Sequence, residues 1–192
     1  SKKILPKLDD KILDIVNNKF FFLSIGRFTR QKNFLFYLEC IPEILKINKD
    51  LFFLFIGQGE DKRDFLERAQ KLNILDRIFL IDYTNNVHYF MGKSKAFVLT
   101  SLWEDPGFVL VESGYNNCQV ISSDCPNGPL EIIGNDGGYL FKSNSKTSFI
   151  NIVKDFFKDS NETKFLKKIV LKKRVKNFTS FQHFLKMKKL LD

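Results

Sequence analysis

Short apolar runs alternate with amphipathic segments along most of the chain. The runs are strand-sized and carry few charges, which is typical of strands buried on both faces of a parallel sheet. They are Phe20–Ile25, Leu51–Ile56, Arg77–Ile81, Ala96–Thr100 and Gln119–Ser122, with a sixth candidate at Gly138–Phe141. The segments with helical periodicity are Asn33–Asn48, 60–73, Val87–Lys93, Pro106–Asn116 and two or three C-terminal helices broken near Ser160 and Thr179.

This alternation predicts an α/β fold, a Rossmann-like doubly wound parallel sheet of about six strands with helices on both faces and further helices at the C-terminus. Ligands bind such sheets beyond the carboxyl ends of the strands. Functional side chains are therefore expected in the loops that begin at Gly26, Gly57, Asp82, Ser101 and Ser122.

The length and composition fit one compact domain, since the chain has 192 residues of which 44% are hydrophobic. We expect a linker with a short helix over residues 1–19, a ligand-binding domain over 20–160, and basic helices over 161–192 that pack on it. No apolar run approaches the roughly 20 residues of a membrane-spanning helix. The three cysteines lack the spacing of metal ligands, so a reduced, cytoplasmic location is expected.

The net charge of +9 is concentrated at the C-terminus. The segment from Lys164 onward holds ten lysines and arginines against one acid, Asp192, whereas residues 1–163 are electrically balanced. Apolar residues such as Phe181 and Phe184 recur there at helical spacing. Either this apolar face packs on the domain and the lysines are solvated, or the segment binds an anionic membrane surface. The pattern by itself favours packing.

Two cations, Arg27 and Lys32, follow Gly26 in the loop after the first strand. A glycine at the strand end lets the backbone turn tightly and approach a ligand. Cations at the mouth of a parallel sheet suit a diphosphate, which arginine can bind through two hydrogen bonds. The alternative is a solvated loop with ordinary surface charges.

Two glutamates, Glu104 and Glu112, lie on either side of the start of the helix after the fourth strand. Pro106 suits a first helical position, so Glu104 is expected at the strand tip and Glu112 about two turns into the helix. The N–H groups at a helix start attract phosphate oxygens. Alternatively, Asp105 caps the helix and Glu112 is an exposed acid. The apolar run Val109–Val111 argues for a buried helix, in which an acid needs a partner such as a ligand hydroxyl.

Three motifs therefore stand in a fixed order: Gly26-Arg27 with Lys32, Glu104 with Glu112, and a strand and turn over 120–132 that contains Gly128-Pro129 and Glu131-Ile132. Together they resemble the C-terminal domain of the family-4 retaining glycosyltransferases, which have the GT-B architecture. The resemblance covers about residues 20–157 and identifies 20–160 as a donor-binding domain.

The resemblance implies a nucleoside-diphosphate sugar as the donor substrate and no separate cofactor. Arg27 and Lys32 would bind the donor diphosphate and support the leaving group. Glu104 would contact the hydroxyls of the transferred sugar, and Glu112 would hold the ribose hydroxyls. These roles make Glu104, Arg27 and Lys32 the expected catalytic residues.

The resemblance also implies a set of further donor-binding positions. The backbone N–H groups of Gly107 and Phe108 would lie near the sugar. Tyr83 and Thr84 would contact the nucleobase, and Gly26 would let the backbone approach the diphosphate.

The chain departs from the family pattern at three places. It has Asp105-Pro106 where the family often has glycine and an aromatic residue, Asn33 replaces a frequent glycine, and Asp82 falls near another. These departures concern the identity of the sugar and the base. No Asp-x-Asp pair is present to hold a divalent ion, so we expect metal-independent transfer in which cations and the helix dipole neutralise the leaving diphosphate.

The resemblance further implies partners outside this chain. The chain begins in what resembles an interdomain linker, so an N-terminal acceptor domain is expected to be missing and the fragment alone to be inactive. A hexose or N-acetylhexosamine would be transferred with retention to a cell-envelope or lipid-linked glycan, in the cytoplasm or at the inner face of the membrane. No nucleic-acid partner is expected.

The competing hypothesis is a non-catalytic α/β module. A regulatory receiver domain would need an acid at the end of the first strand, where this chain has Gly26-Arg27. A nucleic-acid-binding module would use the basic C-terminal segment and show a steep dependence on salt.

Overall fold

The computed structural model of the chain describes residues 9–178 and 187–188, in which six strands form one sheet. The strands are β1 Phe20–Ile25, β2 Leu51–Ile56, β3 Ile78–Ile81, β4 Ala96–Leu99, β5 Val120–Ser123 and β6 Tyr139–Phe141. The helices are α1 Asp10–Asn18, α2 Phe34–Ile47, α3 Lys62–Lys71, α4 Val87–Lys93, α5 Phe108–Tyr115, α6 Pro129–Ile133, α7 Lys146–Lys158 and α8 Asn161–Val175. The expected break near Thr179 and the apolar positions Phe181 and Phe184 lie outside the described residues.

Every strand pair in the sheet is parallel, and the order is β3-β2-β1-β4-β5-β6. Phe22 in β1 pairs with Phe53 of β2 on one side and with Ala96 of β4 on the other. The strands are buried on both faces because helices cover both, which explains their continuous apolar sequences. The predicted doubly wound parallel sheet of six strands is confirmed.

Alternating strand residues point into two separate hydrophobic cores, one on each face of the sheet. The first core packs β-strand residues such as Phe22 and Phe53 against α2, α3 and α7. It is rich in aromatic contacts, for example between Phe28 and Phe65, whose ring centroids are 5.1 Å apart. The second core packs the opposite face of the strands against α1, α4, α5, α6 and α8. The sheet is thus held between two helical layers.

Small differences from the predicted bounds have local causes. Arg77 was expected to open the third strand, but it ends a short 3₁₀ turn, Leu75–Arg77, and donates to the Lys49 carbonyl oxygen at 2.9 Å. Helix α2 continues past Pro42 to Ile47. The short helix expected within residues 1–19 is α1, which buries Ile15 and Val16 in the second core.

The described part of the basic C-terminal segment is amphipathic. Leu171 and Val175 of α8 are buried in the second core, and Val175 leaves no room for a side chain at Gly114 of α5. Phe165 and Leu166, near the start of α8, are 59% and 55% exposed. Among the described residues, no helix combines the length and apolar character that a transmembrane span requires.

Candidate functional site

The strand order brings the loops after β1 and β4 together. These two strands are neighbours in the sheet, and the chain leaves them toward opposite sides, which creates a crevice at their carboxyl ends. Two hydrogen bonds join the loops: Leu102 N donates to the Gln31 carbonyl oxygen and Thr100 Oγ1 donates to the Lys32 carbonyl oxygen, both at 2.9 Å. The two loops with candidate chemistry therefore form one site.

An ion pair between Lys32 and Glu104 lies at the centre of this site. Lys32 Nζ is 2.6 Å from Glu104 Oε1, and the side chains are 15% and 5% exposed. The Ser101 hydroxyl donates to the same carboxylate oxygen at 2.5 Å. A carboxylate so removed from water needs such partners to stay buried. The two residues assigned separately to diphosphate and sugar are thus paired with each other.

Gly26 makes room for the lysine of this pair. A Cβ built on Gly26 would come within 2.9 Å of Lys32 Cε and 3.1 Å of its Cγ and Cδ. The stem of Lys32 therefore runs closely over the glycine backbone before its ammonium reaches Glu104. Arg27, the next residue, is exposed to solvent. The loop thus holds one cation in place and leaves the other available to a ligand.

An open cleft of about 620 Å³ lies over the carboxyl ends of β1, β2 and β3. Its lining is mostly apolar and includes Gly26, Arg27, Gly57, Tyr83 and Thr84. The cleft is therefore large enough for a nucleotide-sized ligand.

The two residues assigned to a base lie on the far wall of this cleft, after β3. Tyr83 is 74% exposed, whereas Thr84 is buried and its Oγ1 accepts a hydrogen bond from Asn86 N at 3.1 Å. An exposed aromatic ring beside an apolar cleft is suited to stacking on a planar ligand. Thr84 instead fixes the turn that presents Tyr83.

Helix α5 begins later than the sequence suggested. Gly107 precedes the helix with φ +81°, a left-handed conformation, and Phe108 is the first helical residue, so the expectation that Pro106 opens the helix is wrong. Glu112 consequently lies about one turn into α5 rather than two. It is half-buried, and no described residue forms an ion pair or side-chain hydrogen bond with its carboxylate. The exposed Phe108 and the N–H groups at the start of α5 face the same end of the sheet.

Several supporting contacts were not predicted from the sequence. Gln31 Nε2 donates to the Trp103 carbonyl oxygen at 3.1 Å, and Glu104 N donates to the Pro126 carbonyl oxygen at 3.1 Å. Ser101 is the chief omission, because it contacts Glu104 directly. A hydroxyl residue at the strand tip, three positions before a buried acid, is the signal that could have found it.

Two of the three departures from the family pattern have structural explanations. Asn33 adopts φ +55°, which asparagine tolerates better than other residues that carry a side chain. Asp82 forms an ion pair with Lys62, and the hydrogen bond from that ammonium lowers the pKa of Asp82 below its ordinary value. Of these two residues, Asp82 lines the cleft.

No group of three or more metal-ligating side chains is found in the part of the chain that the structure describes. The positive groups of the site are Arg27, Lys32 and the N-terminal end of α5. Because Glu104 balances the charge of Lys32, Arg27 and this helix end are the positive groups available to an anionic ligand.

A sequence model of the family described as Glycosyl transferases group 1 matches residues 7–190. The chain belongs to this family. The family match and the fold together confirm the resemblance to the C-terminal domain of GT-B glycosyltransferases.

Two of the relatives are named as specific glycosyltransferases. The chain is 32% identical over 148 residues to UDP-Gal:alpha-D-GlcNAc-diphosphoundecaprenol alpha-1,3-galactosyltransferase of Escherichia coli, covering 75% of this chain and 38% of that protein. It is 29% identical over 157 residues to N-acetylgalactosamine-N,N'-diacetylbacillosaminyl-diphospho-undecaprenol 4-alpha-N-acetylgalactosaminyltransferase of Campylobacter jejuni, covering 81% and 42%. TarM of Staphylococcus aureus, crystallised with UDP among its ligands, has the same fold with a TM-score of 0.80 at 19% identity, covering 88% and 34%.

The chain spans only 31% to 42% of the length of the first three curated relatives that it matches. The similarity therefore concerns one part of those proteins.

Proposed function

We propose that this chain is the nucleotide-sugar-binding part of a retaining glycosyltransferase that transfers a hexose or N-acetylhexosamine to a cell-envelope or lipid-linked glycan. The family match supports the transferase class. The names of the Escherichia coli and Campylobacter jejuni relatives support a sugar acceptor on a lipid diphosphate, and the UDP in TarM supports a nucleotide donor.

The observation that carries the proposal is the buried pair of Lys32 and Glu104 beside the open cleft. Arg27 and Lys32 supply two positive charges for the donor diphosphate, and they stabilise the nucleoside diphosphate as it leaves. Glu104 accepts hydrogen bonds from hydroxyls of the transferred sugar. Since Lys32 and Ser101 hold the Glu104 carboxylate in place, this group needs little reorganisation when the donor binds.

The remaining donor contacts follow the walls of the site. Glu112, whose carboxylate has no protein partner among the described residues, accepts from the ribose hydroxyls. The backbone N–H groups of Gly107 and Phe108 contact the sugar or the phosphate nearest to it. Tyr83, next to Thr84, stacks on the nucleobase in the cleft.

We infer that donor binding needs no metal ion, because the two cations and the N-terminus of α5 provide the neutralising charge. The affinity of this chain for nucleoside diphosphate is then expected to be the same with EDTA as with added Mg²⁺. A loss of binding in EDTA that Mg²⁺ restores would contradict this part of the proposal.

Transfer itself requires more than this chain. We propose that a second, acceptor-binding domain completes the enzyme, because the relatives are about twice as long. The chain alone is then expected to bind donor and not to transfer sugar. Retention is tested on the complete enzyme, where NMR of the product reports the configuration at the anomeric carbon.

We also propose that the protein acts in the cytoplasm, at the inner face of a membrane. The three cysteines are free and buried, as suits a reducing compartment. The exposed Phe165 and Leu166 lie among lysines of α8, a composition that favours contact with anionic lipid. A lipid-linked acceptor would be presented at the same surface.

The central experiment measures binding of UDP, GDP and ADP to the chain by thermal shift and isothermal titration. One of them is expected to raise the melting temperature, and Arg27→Gln is expected to weaken its binding roughly tenfold through loss of a charged hydrogen bond. Arg30→Gln is the matched control, since Arg30 is exposed in the same loop but does not line the cleft. If no nucleotide binds, or if both variants weaken binding equally, the proposed donor site is wrong.

A further inference from the structure

We propose that Ser101 is a positioning residue: it helps to hold one oxygen of the Glu104 carboxylate, and this orients the other oxygen toward the transferred sugar. This inference rests on the proposed donor-binding function. Oε1 is occupied by the protein, because Lys32 Nζ lies 2.6 Å from it and the Ser101 hydroxyl donates to it at 2.5 Å. Two strong donors on one oxygen fix the rotation of the whole carboxylate.

Ser101 is itself held rigidly. It is fully buried, and its carbonyl oxygen accepts hydrogen bonds from Ser123 Oγ at 2.7 Å and from Ser143 Oγ at 3.3 Å. These contacts anchor the tip of β4 to β5 and to the loop after β6. Since a serine hydroxyl has only one proton to donate, the Ser101 proton is committed to Glu104.

The second carboxylate oxygen points elsewhere. A Cβ built on Gly107 would lie 3.6 Å from Glu104 Oε2, so this oxygen faces the start of α5. Within the described residues no protein group donates a hydrogen bond to Oε2. It therefore retains its full capacity to accept from a ligand, at the position where the transferred sugar would lie.

The consequence is a specific role for a residue that touches no substrate. Without the Ser101 hydroxyl, the carboxylate keeps its ion pair with Lys32 but can rotate about it, so Oε2 is no longer aimed at the sugar. Recognition of the sugar should then weaken, whereas recognition of the nucleoside diphosphate by Arg27 and the cleft should remain.

The test compares two affinities in each variant by isothermal titration. The first is for UDP, GDP or ADP, whichever binds the wild type most tightly. The second is for the best of its glucose, galactose, N-acetylglucosamine and N-acetylgalactosamine conjugates. Ser101→Ala is expected to leave the first affinity within about twofold and to weaken the second roughly tenfold, as for loss of a hydrogen bond to a charged group. Ser101→Thr, which retains a hydroxyl, is expected to recover most of the loss.

Ser122→Ala is the matched control, because Ser122 is equally buried and, among the described residues, its hydroxyl bonds only to the Ser123 carbonyl oxygen. If Ser101 were merely structural, Ser101→Ala would lower the melting temperature as Ser122→Ala does and would leave the preference for the sugar conjugate unchanged. That result would overturn the inference. A wild type that binds the diphosphate but gains nothing from any sugar would overturn it too, while the donor site would stand. Absence of all nucleotide binding would instead refute the proposed function.

Discussion

Neutralising Glu104 removes one half of an ion pair that is almost entirely out of water. An exposed pair contributes roughly 0–1 kcal/mol to stability, whereas breaking a buried pair costs about 3–5 kcal/mol. With side-chain exposures of 5% and 15%, the Glu104–Lys32 pair lies near the buried limit. In Glu104→Gln the Ser101 hydroxyl can still bond the amide oxygen, which reduces the cost. We therefore expect a loss of about 2–3 kcal/mol in the free energy of unfolding.

For a chain of 192 residues this loss corresponds to a drop of about 5–10 °C in melting temperature. The assay is urea unfolding of Glu104→Gln, Lys32→Met and the double variant, followed by circular dichroism. Methionine keeps the apolar stem that packs over Gly26 and removes only the charge. The double variant should lose less than the sum of the single losses, with a coupling energy of about 2 kcal/mol.

The exposed pair of Arg63 and Glu67 on α3 provides the comparison, because both side chains are largely solvated. The same cycle there is expected to show no measurable coupling. If the Lys32–Glu104 cycle also gave none, the buried ion pair at the centre of the site would be refuted.

Three further predictions concern other parts of the molecule. Gly57→Ala should destabilise the protein by about 2 kcal/mol or more in urea unfolding, because its Cβ would overlap the Gly26 carbonyl oxygen; Gly92→Ala in helix α4 meets no atom within 4 Å and should be neutral or stabilising. Burial raises the pKa of Cys118 from 9.0 to about 11, so the folded state favours the protonated thiol. The contribution of the protonated Cys118 thiol to the free energy of unfolding is complete below pH 9 and is lost as pH rises toward 11. Wild type should therefore lose stability across that range more steeply than Cys118→Ala, by on the order of 2 kcal/mol. In co-sedimentation, vesicles with phosphatidylglycerol but not pure phosphatidylcholine should capture the chain, and Phe165→Ser with Leu166→Ser should abolish capture; equal capture by both vesicles would contradict a charge-dependent surface.

The fold was predictable because burial on both faces of the sheet leaves a strong pattern. β1 and β2 have the predicted bounds, since Leu51–Ile56 is an uninterrupted apolar run and Phe20–Ile25 contains only one polar residue, Ser24. Helix ends were harder, as the start of α5 shows. Proline at 106 suits a helix start, but Gly107 after it adopts a left-handed backbone, which a glycine can adopt but does not have to, so the helix begins at Phe108.

Of the candidate site, the sequence indicated the residues and not their contacts. Lys32 and Glu104 were assigned to the same edge of the sheet from their positions after strands. Their contact joins positions 72 residues apart, and no periodicity records such a pairing. Ser101 was missed for the same reason, because its role depends on the direction of one hydroxyl. The positive φ of Asn33, by contrast, fits the known tolerance of asparagine for that conformation.

The order of the strands connects the fold with the contacts of the candidate site. Alternation of strands and helices requires parallel pairing but fits several strand orders, and only those that make β1 and β4 neighbours bring the loops after them into contact. In this order the short Ser101 side chain can reach Glu104, and Lys32 can cross over Gly26 to the same carboxylate. A charged pair buried at this point also disfavours other arrangements, since any order that separated β1 from β4 would leave Glu104 without its cation. The residues that would bind the donor therefore also help to specify the topology that forms their site.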